Sequence, residues 1–300
     1  MNWKHFYMVF IAMVTSGVVH AQTNLLNAKE VAQIGVLSSA KQAADDNDNP
    51  LAYGYVDDRD VLWSKVVWEY IDLNQKINLP YYYPTDTLNA PSNRRSLFDV
   101  LLKGIKQGKI ENVYSDSFFT SKLTLEELNS TLSRVDTTDA GYEAMNEGLD
   151  DIDEYVTEKE IKAVDIEGFQ IKGMWYFDKR QGELKYRLLC IAPMAKELYP
   201  DDYTGEISDQ QLELFWIYYP EVRTMLHEAK VFNPKNSTHP ISFDHLLNAR
   251  RFNSIIIREE NIHGNRTIAD YVRGNSIFQL LEADKIKESI RDREIDMWNY

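Results

Sequence analysis

The groups in this sequence that could do chemistry are few, and their spacing is poor for it. Beyond the N-terminal segment stand four histidines: His227, His239, His245 and His263. None has a second histidine or a cysteine at the separation a zinc site uses. There is no His-Glu-x-x-His helix, no Gly-x-x-x-x-Gly-Lys-Ser/Thr phosphate loop and no Gly-x-Gly-x-x-Gly turn. Gly274-Asn275-Ser276-Ile277-Phe278 follows the nucleophile-elbow pattern for three residues. Phe278 then stands where a glycine must let strand and helix approach, so Ser276 reads as a helix cap. Cys190, the only cysteine, lies in the apolar run Leu188-Leu189-Cys190-Ile191, where a buried, inert thiol is expected. A glycosidase-like carboxylate pair is the one hydrolytic arrangement left open, and among 47 acidic residues close pairs arise by chance. Accordingly no catalytic, cofactor-binding or metal-ligating residue is assigned.

What the chain does offer is contact chemistry. Aromatics concentrate at Tyr81-Tyr82-Tyr83, Trp175-Tyr176 and Phe215 to Tyr219, and arginines pair at Arg94-Arg95 and Arg250-Arg251. Aromatic residues and arginine dominate protein interfaces. Neighbouring residues on a strand point to opposite faces, so Trp175-Tyr176 and Tyr218-Tyr219 cannot all enter one core. Arg94, Arg95, Trp175, Trp216, Tyr218, Arg250 and Arg251 are therefore the expected interface residues. The formal charge of -14 disfavours nucleic acid and anionic lipid surfaces and favours basic protein partners.

The N-terminus gives an address. Lys4, the apolar run Phe6 to Val14 and the small-x-small site Val19-His20-Ala21 read as a cleavable signal peptide over residues 1–21. The apolar run is shorter than the roughly 20 residues a bilayer span takes. Removing Lys4, its only charged residue, takes the mature chain from -14 to -15. No cysteine stands at the cleavage point for a lipid anchor, and a lone cysteine permits no internal disulfide.

The elements that must position these residues read as an α+β fold, with helices around short antiparallel sheets. Residues 22–56 form a polar, flexible arm. The stripe Leu62, Val66, Tyr70 and Leu73, widened by Trp63 and Val67, predicts a helix from Asp60 to Leu73, with Asp57-Asp58-Arg59-Asp60 at its N-terminus. Ser96 with Asp99 caps a helix that runs to about Gln107 and stops near Gly108, and Thr124 with Glu127 opens another. From Glu126 to Glu167 fourteen acidic residues face three basic ones, which marks 134–165 as an acidic linker or insertion between halves 57–133 and 166–300. Gln170 to Phe177 and Glu183 to Ile191 predict a hairpin around Asp178 to Gly182. Leu214 to Tyr219 reads as a strand, or as a helix if Ser208 and Gln211 start one, and Pro220 sits where a helix begins. A helix over Phe243 to Arg251, a strand at Ser254 to Ile257 and a helix from Ser276 to Trp298 follow, the last carrying Asp284/Lys287 and Glu288/Arg291 pairs. Phe98-Asp99-Val100-Leu101-Leu102 is echoed by Phe243-Asp244-His245-Leu246-Leu247, which raises two related α/β halves. Asn129, Asn236 and Asn265 begin glycosylation sequons.

Four blocks carry a family resemblance: Asp57 to Pro84 (DDRDVLWSKVVWEYIDLNQKINLPYYYP), Arg95 to Ile110 (RSLFDVLLKGIKQGKI), Phe215 to Arg223 (FWIYYPEVR) and Phe252 to Trp298. They resemble the GldN family of gliding-motility proteins of Bacteroidetes, called PorN in non-gliding relatives. The resemblance implies a periplasmic, non-enzymatic component of the type IX secretion system. It implies assembly with the outer-membrane lipoprotein GldK (PorK) and with other copies of itself into a ring, near the motor proteins GldL and GldM (PorM). It transfers no catalytic residue and no cofactor. A periplasmic hydrolase with paired carboxylates, or a soluble ligand-binding protein with a large apolar pocket, are the alternatives. If the signal reading holds, mass spectrometry of the chain from cell envelopes finds a mature N-terminus at Gln22; an intact Met1 contradicts it.

Overall fold

The computed structural model describes residues 49–86, 94–137, 156–196, 211–233 and 240–298. The signal segment, most of the polar arm, the middle of the acidic stretch, His239 and Asn236 lie outside them.

Where the sequence stripe predicts a helix, the chain forms strand β1 (Val61–Asp72). A one-turn 3-10 helix at Asp58–Asp60, capped by Asp57, precedes it. The reason is coverage. From Val67 to Ile71 both faces of the strand are enclosed, so the apolar residues run together instead of alternating, and their spacing mimics a helix. The strand composition itself, rich in valine, tryptophan, tyrosine and isoleucine, points to β structure. After β1 come α1 (Leu79–Tyr82) and α2 (Leu97–Lys106). Ser96 caps α2 by accepting from the Asp99 N–H at 3.2 Å, and Gly108 follows with a positive φ of 69°, as its glycine suggests. Strand β2 (Val113–Tyr114) leads to α3 (Leu125–Leu132), where Thr124 and Glu127 form the expected capping box.

The acidic stretch contains two paired strands, β3 (Ser133–Thr137) and β4 (Val156–Glu160). The hairpin is longer than its sequence core: β5 (Ile166–Asp178) and β6 (Glu183–Lys196) pair along nearly their whole length. Gly182 takes the left-handed turn conformation at φ 65°. Next come β7 (Gln211–Glu213) and β8 (Trp216–Tyr218), so the strand reading of this segment holds over the helical one. Helix α4 (Tyr219–Glu228) carries Pro220 in its first turn. The chain continues through β9 (Lys230–Val231), β10 (Ile241–Ser242), α5 (Phe243–Asn248), β11 (Ile255–Glu259), α6 (Ile268–Tyr271) and α7 (Ser276–Trp298).

Two local readings need correction. Asn275, not Ser276, caps α7: its Oδ1 accepts from the N–H of Ile277 at 3.0 Å and of Phe278 at 3.3 Å. On α7, Glu288 and Arg291 pair at 3.7 Å as expected, but the second pair is Glu282–Lys285 at 3.6 Å rather than Asp284 with Lys287. The echoed pentapeptides are both helix starts capped by serine, yet Phe98 stands two residues after Ser96 and Phe243 only one after Ser242.

Seven strands form one sheet in the order β11-β1-β5-β6-β8-β2, with β7 beside β6. The α+β class therefore holds, with a single long sheet that takes strands from both sides of the acidic stretch. Its register lines up two neighbouring rows of residues. One row runs Ile256, Glu69, Ile171, Ile191, Ile217 and Val113; its members from Ile171 to Val113 face the main core with α2, α4 and α5, and Ile256 faces the smaller cluster under α7. The next row, Arg258, Trp68, Lys172, Cys190 and Tyr218, faces the opposite way. A bulge in β11 between the partners of Trp68 and Glu69 keeps both rows in step. Near β11, the buried side of α7 (Ala283, Ile286, Ile290) packs on Val67 and Ile256.

Gly173 lies in β5 directly beneath the ring of Tyr186, and a Cβ there would overlap that ring and its hydroxyl. Tyr186 is itself wedged between Trp175 and Arg250, at 5.0 and 4.0 Å, so it has no free direction to retreat. Gly173→Ala is expected to destabilise the fold by about 1–3 kcal/mol, read as a lower urea midpoint with unchanged slope.

Candidate interaction site

The charges that the core encloses are paired. On the inner row Glu69, 2% exposed, stands among isoleucines. Arg250 answers it in a two-pronged pair, Nη1 to Oε1 at 3.0 Å and Nη2 to Oε2 at 2.7 Å, and the Ser254 hydroxyl donates to the same carboxylate. The guanidinium lies over Tyr186 at 4.0 Å and over Trp175 and Phe252 at 5.1 Å each. Arg250 occupies the residue after the C-cap of α5, with the Arg250 N–H donating to Leu247 O and the Arg251 N–H to Leu246 O, at a φ of 48°. That position favours glycine. An arginine held there against its backbone preference is there for its side chain.

A second buried pair ties the helices and the arm. Arg223 donates to both oxygens of Asp244, at 2.8 and 3.2 Å, and the Tyr219 hydroxyl donates to Asp244 at 2.8 Å. The same arginine donates to the Leu51 carbonyl at 2.6 Å and covers the Tyr53 ring at 4.0 Å. Arg187 holds Gly54 by its carbonyl at 2.9 Å. Residues 51–54, within the segment read as a flexible arm, are thus strapped to the body. Burial raises the Tyr53 hydroxyl to about 12, with Arg223 acting against it.

The outer row is different. Trp68 has a cation on each side in the register: Arg258 over its ring at 4.0 Å and Lys172 at 4.9 Å. The loop 115–121 closes on them. Asp116 accepts from the N–H of Phe118 at 2.6 Å and of Thr120 at 3.3 Å, which folds the loop and sets Phe119 at a φ of 62°. Phe119 is thereby seated between Tyr114 and Tyr218, and Phe118 is laid over Lys172 at 4.5 Å, still 48% exposed. Ser117 joins the cluster: Trp68 Nε1 donates to its hydroxyl at 3.0 Å, Arg258 Nη2 to the same oxygen at 3.1 Å, and Lys172 Nζ to its carbonyl at 2.8 Å. Among the described residues neither cation has a carboxylate within ion-pair distance, and Arg258 Nε has no acceptor. Burial holds both cations below their ordinary values, and for Lys172 the charge of Arg258 adds to it.

The expected interface residues do not converge. Trp216 is fully enclosed, its Nε1 donating to Glu213 at 2.7 Å. Trp175 and Arg250 pack together over the inner face; Tyr218 lies against Phe119 on the outer one. Arg94 covers the exposed Phe232 at 5.2 Å with Arg95 beside it, and only Arg251 of the second pair is exposed. Both faces of the sheet are covered, so adjacent aromatics each find a core: Tyr176 and Tyr219 are 4% and 0% exposed. Little in the residue pattern points to the outer cluster; its one visible mark is the aromatic pair Phe118-Phe119 inside a polar loop. Cys190 is buried, and burial pushes its thiol up to about 12. Among the described residues no cluster of metal-ligating side chains occurs, and no helix is long and apolar enough to cross a membrane.

The family model described as "Gliding motility associated protein GldN" matches residues 56–299. The chain belongs to the GldN family. It is a component of the gliding-motility and type IX secretion machinery. No curated protein matches it. The match spans β1 through α7, so both buried ion pairs and the outer cluster lie within the GldN region.

Removing the arginine side chain separates its two effects. Arg250→Gly relieves about 1–2 kcal/mol of backbone strain but leaves the Glu69 carboxylate buried alone, a loss of about 3–5 kcal/mol. Denaturant unfolding of this variant is expected to show a net loss of about 1–4 kcal/mol; equal or greater stability would mean that the pair does not hold the fold.

Proposed function

We propose that this GldN-family chain is a non-enzymatic, periplasmic scaffold subunit of the type IX secretion system. It assembles with an outer-membrane lipoprotein of the GldK (PorK) kind and with further copies of itself, and meets periplasmic domains of a GldM (PorM) kind. The family match over residues 56–299 carries this reading. The disposition of charge supports it: of the deeply buried carboxylates among the described residues, Glu69 and Asp244 are each engaged by an arginine and Asp178 faces Lys185 at 3.8 Å, so none is paired with another as hydrolysis of that kind requires. Exposed apolar surface also supports it. Ile277, Phe278, Leu280 and Leu281 stand 48–66% exposed over the first two turns of α7, a patch of the kind that marks contact sites.

On this reading a lipidated partner holds the chain at the outer membrane. Affinity purification of a tagged copy from gently solubilised envelopes is expected to recover such a lipoprotein together with untagged copies of the chain. Recovery as a lone monomer would contradict the scaffold role.

A further inference from the structure

We propose that the outer-row cluster of Trp68, Phe118, Lys172 and Arg258 is a docking site for an acidic peptide segment of another protein, one that carries a carboxylate beside an apolar side chain. Charge complementarity is the first argument. Of the cations elsewhere, the half-buried Arg187 is held by the Gly54 carbonyl, whereas three meet carboxylates: Arg223 with Asp244 at 2.8 Å, Arg250 with Glu69 at 2.7 Å and Lys65 with Glu259 at 2.5 Å. Lys172 and Arg258 have none among the described residues, although the chain carries 47 acidic residues against 33 basic ones. Partly desolvated charge without a counter-charge is unfavourable for the free protein, so it is the arrangement of a site that is completed from outside.

Geometry makes the same point. Both cations reach one residue, Ser117, through its carbonyl and hydroxyl, which brings them close enough to serve a single anion. Lys172 also retains donors for it, using one of three on Ser117. The half-exposed Phe118 offers an apolar contact for the residue next to that carboxylate, and the buried Trp68 backs both cations from beneath. The loop that carries Phe118 is fixed by Asp116 and by the left-handed Phe119 rather than left free, and strain of that kind gathers at ligand sites.

The charge of the whole chain selects among anions. At -14 it repels polyanions such as nucleic acid and anionic membranes. A short acidic stretch on a partner of opposite or low net charge escapes this. The inference stands on the cluster alone and does not depend on the periplasmic scaffold reading.

Photo-crosslinking from position 118 tests it. Phe118 is replaced by benzoylphenylalanine in the full chain, expressed in the cell that makes it, with and without Lys172→Gln and Arg258→Gln. The expected result is a product with a different protein, mapped by mass spectrometry to a segment containing aspartate or glutamate. Its yield should fall about tenfold or more in the double variant, since each charge-assisted contact is worth about that factor, while the purified double variant keeps its melting temperature. A product at a segment without carboxylates, a product only with another copy of the chain, an undiminished yield or no product would each overturn the proposal. So would a collapse of the melting temperature, which would assign the two cations to the fold instead.

Discussion

Placing a carboxylate in the middle of a row of isoleucines is the constraint on which this fold turns. Glu69 lies between Ile256 and Ile171 on the inner face of the sheet, and such a charge is tolerated only when it is paired and hydrogen-bonded. The one cation that reaches it is Arg250, so the end of α5 has to stand over β1. That requirement propagates. The chain leaves α5 through a left-handed arginine, and Asn78, fully buried, then ties the end of β1 to the next loop by bonding Asp72 O at 2.7 Å and Asn253 O at 3.0 Å. Ser254 closes on Glu69, β11 pairs back onto β1, and the bulge there lets one residue face in and its neighbour face out.

Because Trp68 and Glu69 are adjacent, the same strand organises both sides of the sheet. Inward, the charge pair is shielded by Tyr186, Trp175 and Phe252. Outward, the register puts a cation on either side of an indole, and among the described residues neither has a carboxylate within ion-pair distance. The basic residues of this acidic chain thus divide by partner: Arg250 and Arg223 meet carboxylates in the interior, whereas Lys172 and Arg258 meet Ser117 and the Trp68 ring. For the proposed scaffold role, a division of that kind would separate what folds the subunit from what it presents.

Much of this was legible in the sequence wherever a local rule decides structure. Ser96, Thr124 and Glu127, Gly182 and Pro220 each mark a cap or turn that depends on neighbours within a few residues, and the structure follows them. The GldN resemblance rested on long blocks that lie inside the matched region. β1 was misread because burial on both faces removes the alternation that identifies a strand. Arg250 and Trp216 were read as surface because arginine and tryptophan are common at interfaces; only the long-range pairing of Arg250 with Glu69, 181 residues away, and the closing of loop 115–121 over the sheet place them inside. The outer cluster was invisible for the same reason. Its four side chains come from three strands and a loop, and no spacing within the chain brings Trp68, Phe118, Lys172 and Arg258 together.

The division between paired and unpaired cations can be measured side by side. Arg250→Met and Arg258→Met remove the same charge and keep a similar stem, so their melting temperatures isolate what each guanidinium does. Arg250→Met strands a buried carboxylate and is expected to lower the melting temperature by roughly 6–20 °C, while Arg258→Met strands none and should leave it within about 2 °C. Equal losses in the two variants, or a larger loss at Arg258, would contradict the account.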